Sequence, residues 1–282
     1  MLVIDAHNHA AWLGHTVQQH VANMDKYGIA MTWLLTWEAP DIEVSRSYKG
    51  TPGVPGPFPL ADALVGRKEF PGRFILGYCP DPREPGALDL LEQAIELHGV
   101  QTCGEWKLRM RFDDPANLRL WRFCAERKLP ITMHLAYLQP TKPDYYWYGE
   151  SMESLEASMQ AVPDALIIGH GNGFWAAISG DGKHLTEHRP EGPIVPGGAV
   201  IRMMRQYPNL YADLSALSGL NALTRDRAFA CEFLIEFQDR LLYGRDRFDN
   251  GCRENLDSFD LPAEAYAKIL SGNALRLAPP QT

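Results

Sequence analysis

Short apolar runs alternate along the chain with longer segments in which apolar residues recur at helical spacing. The eight runs are LVIDAH from Leu2, AMTWLLT from Ala30, FILGYC from Phe74, CGEWKL from Cys103, ITMH from Ile131, LIIGH from Leu166, LYADLS from Leu210 and LLYG from Leu241. Short apolar runs of this kind are typical of parallel strands that are buried on both faces. The alternation therefore predicts repeated βα units.

Local signals mark the helices between these runs. Asp114 and Pro115 supply an N-cap and a first helical residue for the helix after the fourth strand. The last helix is expected from near Pro262 to Leu270, followed by a short turn through 273–277. Eight strand–helix units without a second compositional block predict one (β/α)₈ TIM barrel over residues 1–282, with an open doubly wound sheet as the alternative.

Three connections are unusually long, and each of them follows a strand. They span residues 38–60, 135–150 and 171–198. Loops that follow strands lie at the C-terminal face of a barrel, where binding sites are usually built. We expect these loops to form a substrate pocket, the alternative being insertions that the fold merely tolerates.

Composition and charge narrow the classes of function. The 282 residues are 45% hydrophobic and 22% charged, as in an ordinary globular protein. A net charge of -8 and the lack of a long run of lysine and arginine argue against nucleic acid as a partner. Five scattered cysteines, an amino terminus without a signal-peptide pattern and no apolar stretch of ~20 residues lead us to expect a cytoplasmic protein without disulfides or membrane spans.

The chemistry is concentrated at strand ends. Side chains alternate faces along a strand, so His7 and His9 point the same way from the end of the first strand. His134 ends the fifth strand, His170 ends the sixth, and Asp246 follows the eighth. In a closed parallel barrel all five face one rim, and imidazole nitrogens with a carboxylate suit zinc and related divalent ions. Structural histidines with satisfied hydrogen bonds are the alternative interpretation.

These motifs resemble those of the amidohydrolase superfamily. IDAHNH is similar to its strand-one signature, ITMH to its strand-five histidine, IIGHGNG to its strand-six histidine and LLYGRD to its strand-eight aspartate. The tail ILSGNALRL resembles the closing helix of the branch that contains aminocarboxymuconate semialdehyde decarboxylase, resorcylate decarboxylases, lactonases and other hydrolases. The resemblance covers the whole chain, and it is more specific for the superfamily than for the branch.

The resemblance implies a role for each of these side chains. His7, His9 and His134 would bind the metal, and Asp246 would bind it or accept a proton from its water. His170 would be catalytic in a one-metal member and a ligand of the second ion in a two-metal member. The expected cofactor is a divalent metal, zinc by preference with manganese as the alternative, as one ion or two.

Strand four departs from the usual pattern of that branch. GEWKL places Glu105 and Lys107 on one face, where both are available to the barrel interior. By resemblance, Glu105 would bridge a second metal, as in the TatD-like branch, or Lys107 would be carboxylated, as in other two-metal relatives. The alternative is a buried ion pair between them. We keep Glu105 as a metal ligand and Lys107 as a substrate-binding cation.

Further pocket candidates follow other strand ends. Trp12, Trp37 and Trp175 would form walls for a planar substrate, although simple packing is as common for aromatic residues at loop roots. Arg109 and Arg245 are candidates for binding a substrate carboxylate, although solvated surface charges are the commoner case. No sequence feature indicates whether the protein is a monomer or an oligomer. Because barrels of the superfamily commonly associate, the resemblance is compatible with a homo-oligomer.

The site is better defined than the reaction. We expect hydrolysis of a small ester, lactone or amide that bears a carboxylate, with Asp246 taking a proton from metal-activated water and His170 polarising the substrate. Non-oxidative decarboxylation with the same ligands is the alternative. A metal-bound barrel that acts as a non-catalytic scaffold is a third interpretation, from a different class.

Overall fold

All eight predicted strands form in the computed structural model, which describes residues 1–38, 58–137 and 147–281. In chain order they are β1 (Ile4–Asn8), β2 (Met31–Leu34), β3 (Phe74–Leu76), β4 (Cys103–Trp106), β5 (Ile131–His134), β6 (Ile167–His170), β7 (Leu210–Asp213) and β8 (Leu241–Leu242). A further two-stranded ribbon pairs Ala136–Tyr137 with Gly149–Glu150. The positions of the strands therefore follow the apolar runs of the sequence.

The strands close into a barrel through two junctions. Parallel pairing joins β1 to β3 in order, and it also joins β4 to β8 in order. Gly77 pairs with Thr102 to connect β3 to β4. The Ala6 backbone N–H donates to Tyr243 O at 2.9 Å, which connects β8 to β1. The predicted (β/α)₈ barrel is confirmed, and the open sheet is excluded because both of its edges are hydrogen-bonded to each other.

Helices surround the strands on the outside. They are α1 (Val17–Lys26), α2 (Leu60–Glu69), α3 (Ala87–His98), α4 (Pro115–Glu126), α5 (Met152–Ala161), α6 (Asn172–Ala176), α7 (Ala199–Gln206), α8 (Ala216–Thr224), α9 (Arg227–Glu236), α10 (Gly251–Asp257), α11 (Ala263–Ala267) and α12 (Asn273–Leu277). Single 3₁₀ turns lie at Trp12–Gly14 and Lys183–Leu185. Among the described residues, no helix is both long enough and apolar enough to cross a membrane.

One helix end was predicted correctly and one was not. The Asp114 carboxylate accepts a hydrogen bond from the Ala116 backbone N–H at 2.8 Å, so Asp114 is the N-cap of α4 as predicted. The expected break after Leu270 is wrong, because a π-helical turn at Lys268–Gly272 carries α11 directly into α12. The buried amide of Asn273 donates to Leu241 O at 2.7 Å, which ties this junction to β8.

A bulge in β1 adjusts how side chains enter the barrel. Asp5 pairs with Thr32 and Asn8 with Leu34, so β1 carries one more residue than β2 over this stretch. Ile4 and Ala6 belong to a compact apolar cluster with residues of β2, β3, β6 and β8. The extra residue interrupts the strict alternation of side chains between the two faces of β1. His7, which directly follows Ala6, can therefore also face the site above that cluster.

Candidate metal centre

Glu105 lies among the predicted histidines and is fully buried. Its Oε1 is 2.5 Å from His134 Nδ1 and 3.6 Å from His170 Nε2. Its Oε2 is 3.5 Å from His9 Nε2 and 3.6 Å from Lys107 Nζ. Burial would raise the pKa of Glu105, but the charges of Lys107 and His134 hold it well below the usual range. A buried carboxylate that stays ionised is therefore available as a ligand.

His134 and His170 lie side by side because β5 and β6 pair in register at these two positions. Their ring centroids are 5.1 Å apart. Gly171 follows with a φ of +99°, and a Cβ there would lie 2.7 Å from Leu135 O and 2.8 Å from the His134 ring. Only glycine fits this turn, so the Gly after His170 is required by the close approach of two strand ends.

Asp246 is fixed by its backbone as well as by its position after β8. It adopts a left-handed φ of 50°, which aspartate tolerates better than most residues. Its N–H donates to His7 O at 2.8 Å, and its carbonyl accepts from Trp12 Nε1 at 2.8 Å. Its carboxylate oxygens lie 3.6 Å from His9 Nε2 and 3.9 Å from His170 Nε2. The two halves of the site, from β1 and from β8, are thus joined.

Four ligand atoms around this centre are buried without a hydrogen-bond partner among the described residues. They are His7 Nε2, His134 Nε2, Glu105 Oε2 and Asp246 Oδ1. An unpaired buried polar atom costs about 1–3 kcal/mol, so several such atoms at one place require an explanation. One ligand atom from each of His7, His9 and Glu105 lies within 4.8 Å of the others, as does one from each of Glu105, His134 and His170. This donor set fits a divalent cation.

The pKa values of the histidines are consistent with a site for a divalent cation. Burial lowers the pKa of His9 to about 3 and that of His134 to about 3, which keeps both rings neutral and able to bind metal. Burial would also lower the pKa of His7, but the charge and hydrogen bond of Asp213 outweigh it and raise the pKa to about 9. The carboxylates around His7 therefore favour a positive charge at this position, whether a proton or a cation.

Asp213 is a residue of the site that the sequence reasoning did not identify. It is the last residue of β7, and its carboxylate contacts His7 Nδ1 at 2.8 Å and His170 Nδ1 at 2.9 Å. The motif LYADLS predicts a strand but by itself indicates no role for its aspartate. The available signal was positional, because Asp213 ends a buried strand as His134 and His170 do.

A cavity of about 280 Å³ opens above the centre. Three predicted pocket residues line it, namely Trp12, Trp37 and Lys107. The Lys107 ammonium lies 4.5 Å from the Trp37 ring centroid, within the range of a cation–π contact. The cavity thus combines aromatic walls with a positive charge next to the metal centre.

Other wall residues come from the long connections. Phe58, His188 and Arg189 line the cavity and were not singled out from the sequence. Asn172 Nδ2 donates to His188 Nδ1 at 3.0 Å, which ties two parts of the third connection together. Residues 39–57 and 138–146, which belong to the other two connections, lie outside the described residues.

Three predicted substrate-binding candidates lie elsewhere. Trp175 is buried and donates from Nε1 to Asp213 O at 3.1 Å, so it supports β7 from behind the cavity. Arg109 is not among the described residues that line the cavity. Arg245 is 1% exposed and its Nε donates to Asp5 Oδ2 at 2.8 Å, so it is neither a substrate clamp nor a surface charge.

Comparison with solved structures identifies several barrels of the same shape. An uncharacterized TIM-barrel protein from Bordetella bronchiseptica gives a TM-score of 0.67 at 18% identity, covering 98% of each chain. A dihydroxybenzoic acid decarboxylase from a Polaromonas species, with bound manganese and the inhibitor 2-nitroresorcinol, gives 0.58 at 16% identity and covers 92% of this chain and 84% of that chain. A protein assigned by name as a 2-pyrone-4,6-dicarboxylic acid hydrolase from Pseudomonas putida gives 0.62 at 14% identity, covering 98% of this chain and 97% of that chain.

Sequence comparison supplies the family. No curated protein gives a significant match to the chain. The model of the Amidohydrolase family, in contrast, matches residues 4–278, nearly the whole chain. With the barrel, the buried histidine–carboxylate cluster and this match together, the chain belongs to the amidohydrolase family and is a metal-dependent enzyme.

Proposed function

We propose that the protein hydrolyses a small ester, lactone or amide that bears a carboxylate, with Asp246 as the general base. The observation that carries this proposal is the position of Asp246. Its carboxylate lies 3.6 Å from His9 Nε2 and 3.9 Å from His170 Nε2, and it also lines the cavity. Its side chain is 17% exposed, so a water molecule in the cavity can reach it. A base must lie within reach of the proton that it removes, directly or through one water.

For the metal, we propose His7, His9, His134, Glu105 and Asp246 as ligands. Zinc suits imidazole and carboxylate donors, and manganese accepts the same set with a preference for oxygen. The bound cation would lower the pKa of a water molecule toward about 7 and polarise a carbonyl group. Glu105 belongs both to the group with His7 and His9 and to the group with His134 and His170, which supports a second ion that shares Glu105 with the first.

The residues around the cation would then divide the proton transfers. Burial raises the pKa of Asp246 above its usual range, which favours a carboxylate that accepts a proton and later returns it to the leaving group. His170 Nε2 faces the same region, 3.9 Å from Asp246 Oδ2, and would hold the second ion there, so that the cation polarises the substrate carbonyl. Lys107 would bind the substrate carboxylate through a charge-assisted hydrogen bond, between the walls made by Trp12 and Trp37.

Isotope-labelled water tests the reaction class. The metal-loaded enzyme is incubated with lactones, phenyl esters and hydroxybenzoates in water enriched in heavy oxygen, and the products are analysed by mass spectrometry. Hydrolysis places the label in the product carboxylate. Release of carbon dioxide without label in the organic product would replace the proposal with decarboxylation, and any turnover excludes the non-catalytic scaffold.

The Asp246→Asn variant tests the assigned base. Asparagine retains the size of aspartate but accepts no proton, so we expect kcat to fall by about 10²–10⁴-fold. Metal content, measured by elemental analysis of the purified protein, should stay close to that of the wild type. A variant that keeps its metal and its kcat would refute the role of Asp246.

A further inference from the structure

One buried carboxylate holds two histidines of the site at once. Asp213 Oδ2 contacts His7 Nδ1 at 2.8 Å, and Asp213 Oδ1 contacts His170 Nδ1 at 2.9 Å. All three side chains are at most 1% exposed. The two rings lie against each other, with centroids 4.1 Å apart and planes 35° apart. The contacts therefore form one rigid unit that connects β1, β6 and β7.

The remaining contacts of Asp213 fix which partner donates. Ser215 donates to Asp213 Oδ1 from its hydroxyl at 2.5 Å and from its backbone N–H at 3.1 Å. With His7 Nδ1 at Oδ2 and His170 Nδ1 at Oδ1, these contacts occupy both oxygens and leave no position for a hydrogen on the carboxyl group itself. An ionised carboxylate only accepts hydrogen bonds, so each contacting Nδ1 must carry a hydrogen.

We infer that Asp213 is a positioning residue that holds both His7 and His170 with Nδ1 protonated, so that both Nε2 lone pairs point toward Glu105. The inference rests on the proposed metal-dependent function. His7 Nε2 lies 4.0 Å from Glu105 Oε1 and His170 Nε2 lies 3.6 Å from the same oxygen. His7 Nε2 is also buried without a hydrogen-bond partner among the described residues, an independent sign that it faces a ligand site.

His9 provides an internal comparison. Its Nδ1 is 2.9 Å from Leu35 O, so a backbone carbonyl fixes the orientation of that ring. A change at Asp213 should therefore alter His7 and His170 while His9 keeps its state. Outer hydrogen bonds of this kind orient metal ligands, and their loss typically weakens metal binding by about 10–100-fold.

The substitution Asp213→Asn tests the inference, because it should affect the two histidines differently. The asparagine oxygen can accept from only one of the two Nδ1–H groups, while its amide nitrogen can only donate. The second histidine must then present a bare Nδ1, which places its hydrogen on Nε2 and removes that nitrogen as a ligand. We expect zinc to bind about 10–100-fold more weakly to this variant.

Nuclear magnetic resonance of the zinc-loaded protein, labelled with heavy nitrogen on histidine, reads the tautomers directly. In the wild type we expect hydrogens on Nδ1 of His7 and His170, with Nε2 bound to zinc or free of hydrogen. This measurement does not depend on whether any variant folds. A wild type that binds zinc but carries a hydrogen on Nε2 of either ring overturns the inference alone, whereas a wild type that binds neither zinc nor manganese contradicts the proposed function and the inference with it.

The variant experiment adds a matched control. Ser215→Ala removes a hydroxyl that contacts both Asp213 Oδ1 at 2.5 Å and His170 Nδ1 at 3.0 Å, but it leaves both carboxylate oxygens in place as acceptors. Both tautomers should therefore persist, and the zinc dissociation constant should change by less than about threefold. In Asp213→Asn, one of the two rings should change its tautomer while His9 does not. Wild-type zinc affinity with unchanged tautomers in a folded Asp213→Asn protein would overturn the inference.

Discussion

The buried pair of Asp5 and Arg245 offers the strongest test of how the barrel holds its catalytic rim. Asp5 is fully buried in β1, and Arg245 Nε donates to its Oδ2 at 2.8 Å. The Arg245 backbone N–H donates to Oδ1 at 2.8 Å, and Asn8 Nδ2 donates to Oδ2 at 3.1 Å. Arg245 directly precedes Asp246, so this pair also fixes the backbone that presents the proposed base.

The substitution Arg245→Leu removes the positive charge but keeps an apolar side chain at the position. Asp5 then remains as a buried carboxylate with neutral donors only. Breaking a buried pair in this way costs about 3–5 kcal/mol, and the surviving hydrogen bonds favour the lower end, about 3 kcal/mol. The double variant Asp5→Asn/Arg245→Leu removes both charges, so it should lose less stability than the sum of the two single variants.

Chemical denaturation, followed by tryptophan fluorescence at fixed metal concentration, measures these differences in the free energy of unfolding. Arg205→Leu serves as the control, because the side chains of Arg205 and its partner Glu236 are 62% and 40% exposed, so its loss should cost less than about 1 kcal/mol. A loss below about 1 kcal/mol for Arg245→Leu, equal to the control, would refute the reasoning that Asp5 depends on this charge.

Three further predictions concern the metal and the substrate. His7→Ala should lose metal and activity together, and full metal retention by elemental analysis would remove His7 from the ligand set. If two ions bind, Glu105→Gln should reduce the metal content from near two to near one per chain, whereas an unchanged single equivalent would favour the ion pair with Lys107. Lys107→Met should raise the KM of a carboxylate-bearing substrate by about tenfold or more, since a hydrogen bond to a charged group contributes about 1.5–3 kcal/mol. An equal rise for a neutral analogue in steady-state kinetics would argue against a contact with the substrate carboxylate.

The sequence by itself determined the barrel and the location of its chemistry. Strand positions follow local apolar runs, and caps such as Asp114 follow from short-range hydrogen bonding, so both can be recognised without knowledge of the fold. Once the sheet closes, His134 and His170 at the ends of neighbouring strands must lie together, and Asp246 must approach the first strand. These consequences need only parallel order and strand ends.

Only the tertiary structure decided how the remaining polar residues are used. Asp213, Arg245 and Trp175 all follow or end strands, yet one contacts two histidines, one pairs with a buried aspartate and one supports β7 from behind. Their roles depend on which side chain from a distant strand reaches them, and local patterns carry no information about that. The wall residue His188 was hidden for the same reason, because an irregular connection has no periodicity from which the direction of a side chain can be predicted.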